Sequence, residues 1–65
     1  MKEFKVEGMK CAHCRQRVHD AVAAVAGVNK VTVSLQDSKA VVEGNASAQA
    51  VIDAVENAGF GCEEC

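Results

Sequence analysis

Hydrophobic and polar residues alternate strictly at the start of the chain. In "EFKVE", Phe4 and Val6 share one face while Glu3, Lys5 and Glu7 share the other. A period of two is that of a half-buried strand, and Gly8 ends it. From about Cys14 the period lengthens: Val18, Val22 and Val25 recur at helical spacing, Ala21 and Ala24 fill in, and Gly27 stands where a helix-terminating glycine belongs. "VNKVTVSL" returns to alternation, with Val31, Val33 and Leu35 inward and Lys30, Thr32 and Ser34 outward. The polar "QDSK" turns the chain into "AVVEG", which predicts a hairpin. Ser47 is placed to cap a second helix, whose Ala48, Val51, Ile52, Val55 and Ala58 mark one face and which stops at Gly59. "FGCEEC" remains as a short final strand or a frayed tail.

Two strand–helix–strand crossovers around a central hairpin predict an α+β fold, the ferredoxin-like βαββαβ sandwich. Its antiparallel sheet carries two helices on one face, and its last strand is short or frayed. No linker or low-complexity run interrupts the pattern, so residues 1–65 read as a single domain. At 65 residues a hydrophobic core is only marginally sufficient, so a bound ion would serve stability as well as function.

A net charge of −2 and only two aromatic residues argue against nucleic acid as a partner, because phosphate binding needs clustered cations and usually stacking rings. No apolar run approaches a membrane span, and Met1 is followed at once by the charged, alternating "KEFKVEG". Neither membrane insertion nor a signal peptide is expected, which points to a cytoplasmic protein. The four cysteines are then thiols rather than the disulfides of a secreted miniprotein, and their pairing at three-residue spacing suits a shared ligand.

Cys11 and Cys14, in "GMKCAHC", fall in the loop leaving the first strand and at the first turn of the helix. Their sulfurs can converge there, and the free N–H groups of a helix start favour the thiolate, which is both ligand and nucleophile. Lys10, Arg15 and Arg17 crowd the same helix start, where cations oppose the macrodipole. That local disadvantage suits a functional anion, since copper(I) on two thiolates carries a net negative charge; ordinary solvated side chains are the plainer reading. Structural zinc takes four ligands, so two cysteines leave it unsatisfied. Soft thiolates select copper(I) and, by the same softness, silver(I), mercury(II) or cadmium(II). An ion with open positions can be handed on.

The neighbours divide. His13, between the cysteines, is expected to point outward rather than ligate. Met9 is a soft donor, but beside a glycine at a strand end it is expected to fill the core beneath the loop. His19 reads as a surface helical residue. In an extended tail, Cys62 and Cys65 would lie on opposite faces, about 10 Å apart. Three readings of this pair stay open. Cys62 packs in a truncated strand; or Cys62 or Cys65 joins the first pair and broadens it toward zinc, cadmium or mercury; or the two form a separate redox or metal clip that bridges molecules.

With motif and element order together, the sequence resembles the heavy-metal-associated domain family. That family comprises small cytosolic copper chaperones, metal-binding domains of copper-transporting P-type ATPases, and periplasmic mercury-binding proteins. "GMKCAHC" matches its Gly-Met-X-Cys-X-X-Cys signature, and "GVNKVTVSL", "KAVVEG" and "VIDAVENAGF" match later segments, so the resemblance spans about residues 3 to 61. It implies Cys11 and Cys14 as metal ligands, Met9 as the buried support of the loop, and Phe60 as a residue packing near the metal from the loop after the second helix. It also implies copper(I) transfer to a P-type ATPase or its metal-binding domain by thiolate exchange, without catalysis. The carrier itself is expected as a monomer or a metal-bridged dimer. A detached ATPase domain shares every one of these features. A thiol–disulfide redox protein is the rival from another class, since Cys-X-X-Cys at a helix start also serves thioredoxins; the element order and the lack of proline and aromatic surroundings oppose it.

Overall fold

The computed structural model describes residues 2–65. Its elements run β1 (Lys2–Glu7), α1 (Ala12–Ala23), β2 (Val28–Ser34), β3 (Lys39–Gly44), α2 (Ala48–Asn57) and β4 (Gly61–Glu64). The four strands form one antiparallel sheet in the order β2-β3-β1-β4. This is the ferredoxin-like arrangement expected from the alternation and the two helical stretches.

The alternation of β1 sends Phe4 and Val6 to the face that the helices cover, beside Ala40 and Val42 of β3. Val18 and Val22 from α1 and Val51 and Val55 from α2 close the core over them, and all four are fully buried. Burying a side chain of this size contributes about 1.5–3 kcal/mol. No described polar side chain is buried with them. The Ser47 hydroxyl accepts the Ala50 N–H at 3.1 Å, capping α2 as expected.

Three local expectations are corrected. α1 starts earlier than Cys14 and ends at Ala23, so Val25 lies beyond the helix and Gly27 is not its terminator. Gly27 adopts φ +91 in the turn before β2, where the backbone of Asn45 and Ala46 passes so close that a Cβ would stand 2.9 Å from the Ala46 nitrogen. Leu35 belongs to the turn rather than to the inward row of β2, because the hairpin reverses over residues 35–38 and Lys39 already pairs with Lys5. Val31 and Val33 do face the core but stay half-buried, since β2 is a sheet edge.

The tail is a strand. β4 pairs with β1 in the register Val6–Cys62 and Lys5–Glu63, and the Cys65 N–H reaches the Glu3 carbonyl at 2.9 Å. β1 thus runs between β3 and β4, and three loops gather where it ends: residues 8–11, the hairpin turn and the link from α2 to β4. The Val6 N–H donates to the Ser38 carbonyl at 2.8 Å, tying the hairpin turn to this end.

Candidate metal centre

Gly8, at φ +100, turns the chain out of β1 with a backbone conformation that side chains strain to adopt. Met9 then packs against the core, while Lys10 and Cys11 are exposed. Cys11 is the N-cap of α1, with extended backbone (φ −157, ψ 173), and Cys14 sits in the first turn. The first helical bond runs from the Arg15 N–H to the Cys11 carbonyl, 3.1 Å. No side chain caps this end and the first turn has no acid, so the amides of the helix start are left to face the sulfurs.

The two sulfurs lie 3.7 Å apart, both cysteines free. That separation is too long for a disulfide and short enough for one ion to touch both. At a metal–sulfur distance of about 2.3 Å, sulfurs so placed would subtend roughly 107° at the ion, whereas a linear ion would need them about 4.6 Å apart. Sulfurs so spaced suit a bent pair, which would leave the open side of the angle to a third ligand.

The Cys14 thiol is held below its ordinary value of 9.0, first by the Lys10 backbone amide and then by the Cys11 thiol; burial opposes them, and the Cys11 amide and the Arg17 charge add smaller pulls. Of the cations crowded here, Arg17 is the one whose charge acts on Cys14. His13 is exposed.

Phe60 is brought to the same end by the way α2 stops. The Gly59 N–H bonds the Glu56 carbonyl at 3.0 Å and the Phe60 N–H bonds the Val55 carbonyl at 3.2 Å, with Gly59 at φ +99. This paired closure is a Schellman motif, which fixes the residue after the glycine against the helix. Phe60 packs on the core, its ring over Gly8.

The tail cysteines are placed apart. Cys62, opposite Val6, is half-buried against the core. Its thiol is pushed up to about 11, chiefly by burial and then by Glu56, Cys65 and Glu63. Cys65 is exposed beside Glu3, at the start of β1, about 17 Å along an extended strand from Gly8. Among the described residues no three His, Cys, Asp or Glu side chains converge as a metal site would require. His19 is the surface helical residue expected, its side chain 44% exposed, and it lines a hollow beside β2 that residue patterns do not show. Only the placement of β2 as an edge reveals this.

No helix of the described residues is long and apolar enough to cross a membrane. The model of the heavy-metal-associated domain matches residues 3–61. The copper chaperone CopZ of Enterococcus hirae is 42% identical over 65 residues, which cover 95% of this chain and 94% of CopZ. Copper-transporting ATPase 2 of Rhizobium meliloti is 42% identical over 59 residues, covering 88% of this chain but 7% of the ATPase. The N-terminal domain of PacS from Synechocystis PCC6803 superposes with a TM-score of 0.94 at 34% identity, over 98% of this chain and 94% of that one. The sheet order, the Gly-Met-X-Cys-X-X-Cys loop at the start of α1 and these matches agree, and the chain belongs to the heavy-metal-associated domain family.

Proposed function

We propose that this chain is a single-domain cytoplasmic carrier that binds copper(I) through Cys11 and Cys14 and delivers it to a P-type ATPase or its metal-binding domain, without catalysing a reaction. The observation that carries the reading is the pair of free sulfurs 3.7 Å apart, Cys11 exposed and Cys14 half-buried, at an uncapped helix start. The likeness to CopZ along nearly its whole length supports a free carrier, and the likeness to part of a copper-transporting ATPase supports a partner of the same fold.

The mechanism follows from the open side of the site. Copper(I) has a filled d shell and accepts two or three thiolates, so an incoming thiolate of the partner can bind before one of the chain's own leaves. Each step exchanges one copper–sulfur bond for another with no change of oxidation state. In the absence of an acceptor, a second copy can supply the third sulfur and form a metal-bridged dimer. Silver(I), mercury(II) and cadmium(II) share the preference for sulfur, while zinc(II) wants ligands that the described residues do not bring together.

Titration of the reduced chain with copper(I) against a chromophoric chelator should give one ion per chain, and Cys11→Ser with Cys14→Ser should abolish it. Full affinity without both cysteines overturns the assignment.

A further inference from the structure

β2 is bonded to β3 on one side only, so its other edge offers unpaired N–H and C=O groups. Beside that edge, two adjoining hollows of about 270 and 300 Å³ run between α1 and the strand. Arg15, Gln16 and His19 form the helical wall, Val31 and Val33 the half-buried floor, and Lys30 lies at the far end. No carboxylate lines either hollow. Asp20 lies next to the wall, its carboxylate 3.5 Å from the His19 ring.

We propose that this groove binds an extended acidic segment of a partner protein, which adds to β2 as a fifth strand. Main-chain bonds to an exposed edge supply affinity in this mode, and the flanking side chains supply selectivity. The charge selects the occupant: Arg15 and Lys30 line the groove and no carboxylate does, although Asp20 and Glu43, which pairs with Lys30, stand beside it, in a chain whose net charge is −2. The opposite edge strand, β4, differs, because it carries Glu63 and Glu64, both exposed, and would repel an acidic segment. A second copy presenting β4 is the rival occupant, since Glu63 and Glu64 are acidic. Such head-to-tail pairing does not close, and would build filaments from a carrier that must diffuse. The groove starts at Arg15, next to Cys14, so a segment lying in it would tether a partner beside the sulfurs. The proposal does not depend on which ion they hold.

The test uses the full reduced chain, labelled with ¹⁵N, and the peptide acetyl-Thr-Glu-Thr-Glu-Thr-Glu-Thr-amide. About seven residues match the length of β2 at about 3.4 Å per residue. Millimolar peptide is expected to shift the amides of β2 and of the outer face of α1, and to slow hydrogen exchange at the outward N–H groups of β2. His19→Glu and Lys30→Glu, checked for unchanged dispersion of the spectrum, should each weaken binding about threefold or more. The peptide with Lys in place of Glu should not bind. No shifts, equal binding of the Lys peptide, or shifts without slowed exchange would overturn the proposal. So would concentration-dependent oligomers in sedimentation with β2 protected before peptide is added, which would make a second copy the occupant.

Discussion

The ring of Phe60 lies over Gly8: a Cβ added at Gly8 would stand 3.4 Å from Phe60 Cδ1. The turn that leads into the dithiol loop is thus braced by an aromatic side chain from the other half of the chain. The contact itself leaves room for a methyl group, so the obstacle to substitution at Gly8 is its φ of +100. Gly8→Ala is expected to cost about 1–3 kcal/mol in denaturant unfolding, from backbone strain. Phe60→Ala, which loses a half-buried ring, should cost about 1–2 kcal/mol and speed alkylation of Cys11 and Cys14. Unchanged alkylation rates would show that the ring does not brace the loop.

The thiols should separate by reactivity. Cys14 is held below 9.0 and Cys62 is pushed up to about 11, so iodoacetamide at pH 7.5 should modify Cys14 well before Cys62. Mass mapping of partly alkylated chain checks the order, and equal rates at the two sites would contradict it.

The same shifts link stability to pH with opposite signs. The folded chain keeps the Cys62 proton that the unfolded chain gives up near 9.0, so the contribution is full below pH 9 and is lost as pH rises towards about 11. Cys14 is the reverse: its contribution is present above 9.0 and is lost as pH falls through its lowered folded value. Unfolding curves of Cys62→Ala between pH 8 and 11 should fall less steeply with pH than those of the parent chain. An identical slope would mean that Cys62 carries no part of it.

X-ray absorption at the copper edge should find the same sulfur shell in the parent chain and in Cys62→Ala with Cys65→Ser. The placement of Cys65 beside Glu3 and of Cys62 against Val6 motivates this expectation. A loss of one sulfur would return a tail cysteine to the site.

Removing the hydroxyl that accepts the Ala50 N–H, by Ser47→Ala, should lower stability by about 1 kcal/mol. Thermal unfolding reads this directly, and an unchanged midpoint would show the cap to be replaced by water.

Where a segment's own period decides its structure, residues announce it: Phe4 and Val6 mark β1, and Val51 and Val55 mark α2. The start of α1 is quieter, because Cys11, Ala12 and His13 carry neither a capping oxygen nor a first-turn acid. Its end misleads, since Ala24 and Ala26 suit a helix and Gly27 looks like a stop. That glycine instead answers to distant backbone, at Asn45 and Ala46, which no local pattern encodes. The opposed faces of Cys62 and Cys65 follow from a period of two, but whether the tail pairs at all depends on main-chain bonds to β1. The dithiol was legible because spacing and element order both point to it; the groove beside β2 was not, because it exists only between elements.

The closure of α2 has a thermal consequence. Two amide bonds, from Gly59 and Phe60, close the turn that carries the ring to its place on the core, and helix ends fray at a far smaller free-energy cost than a core opens. Gentle warming would melt that last turn first and withdraw the ring from the loop while Val18, Val22, Val51 and Val55 stay packed. The grip on the cargo would then loosen through a local event that leaves the rest of the molecule folded.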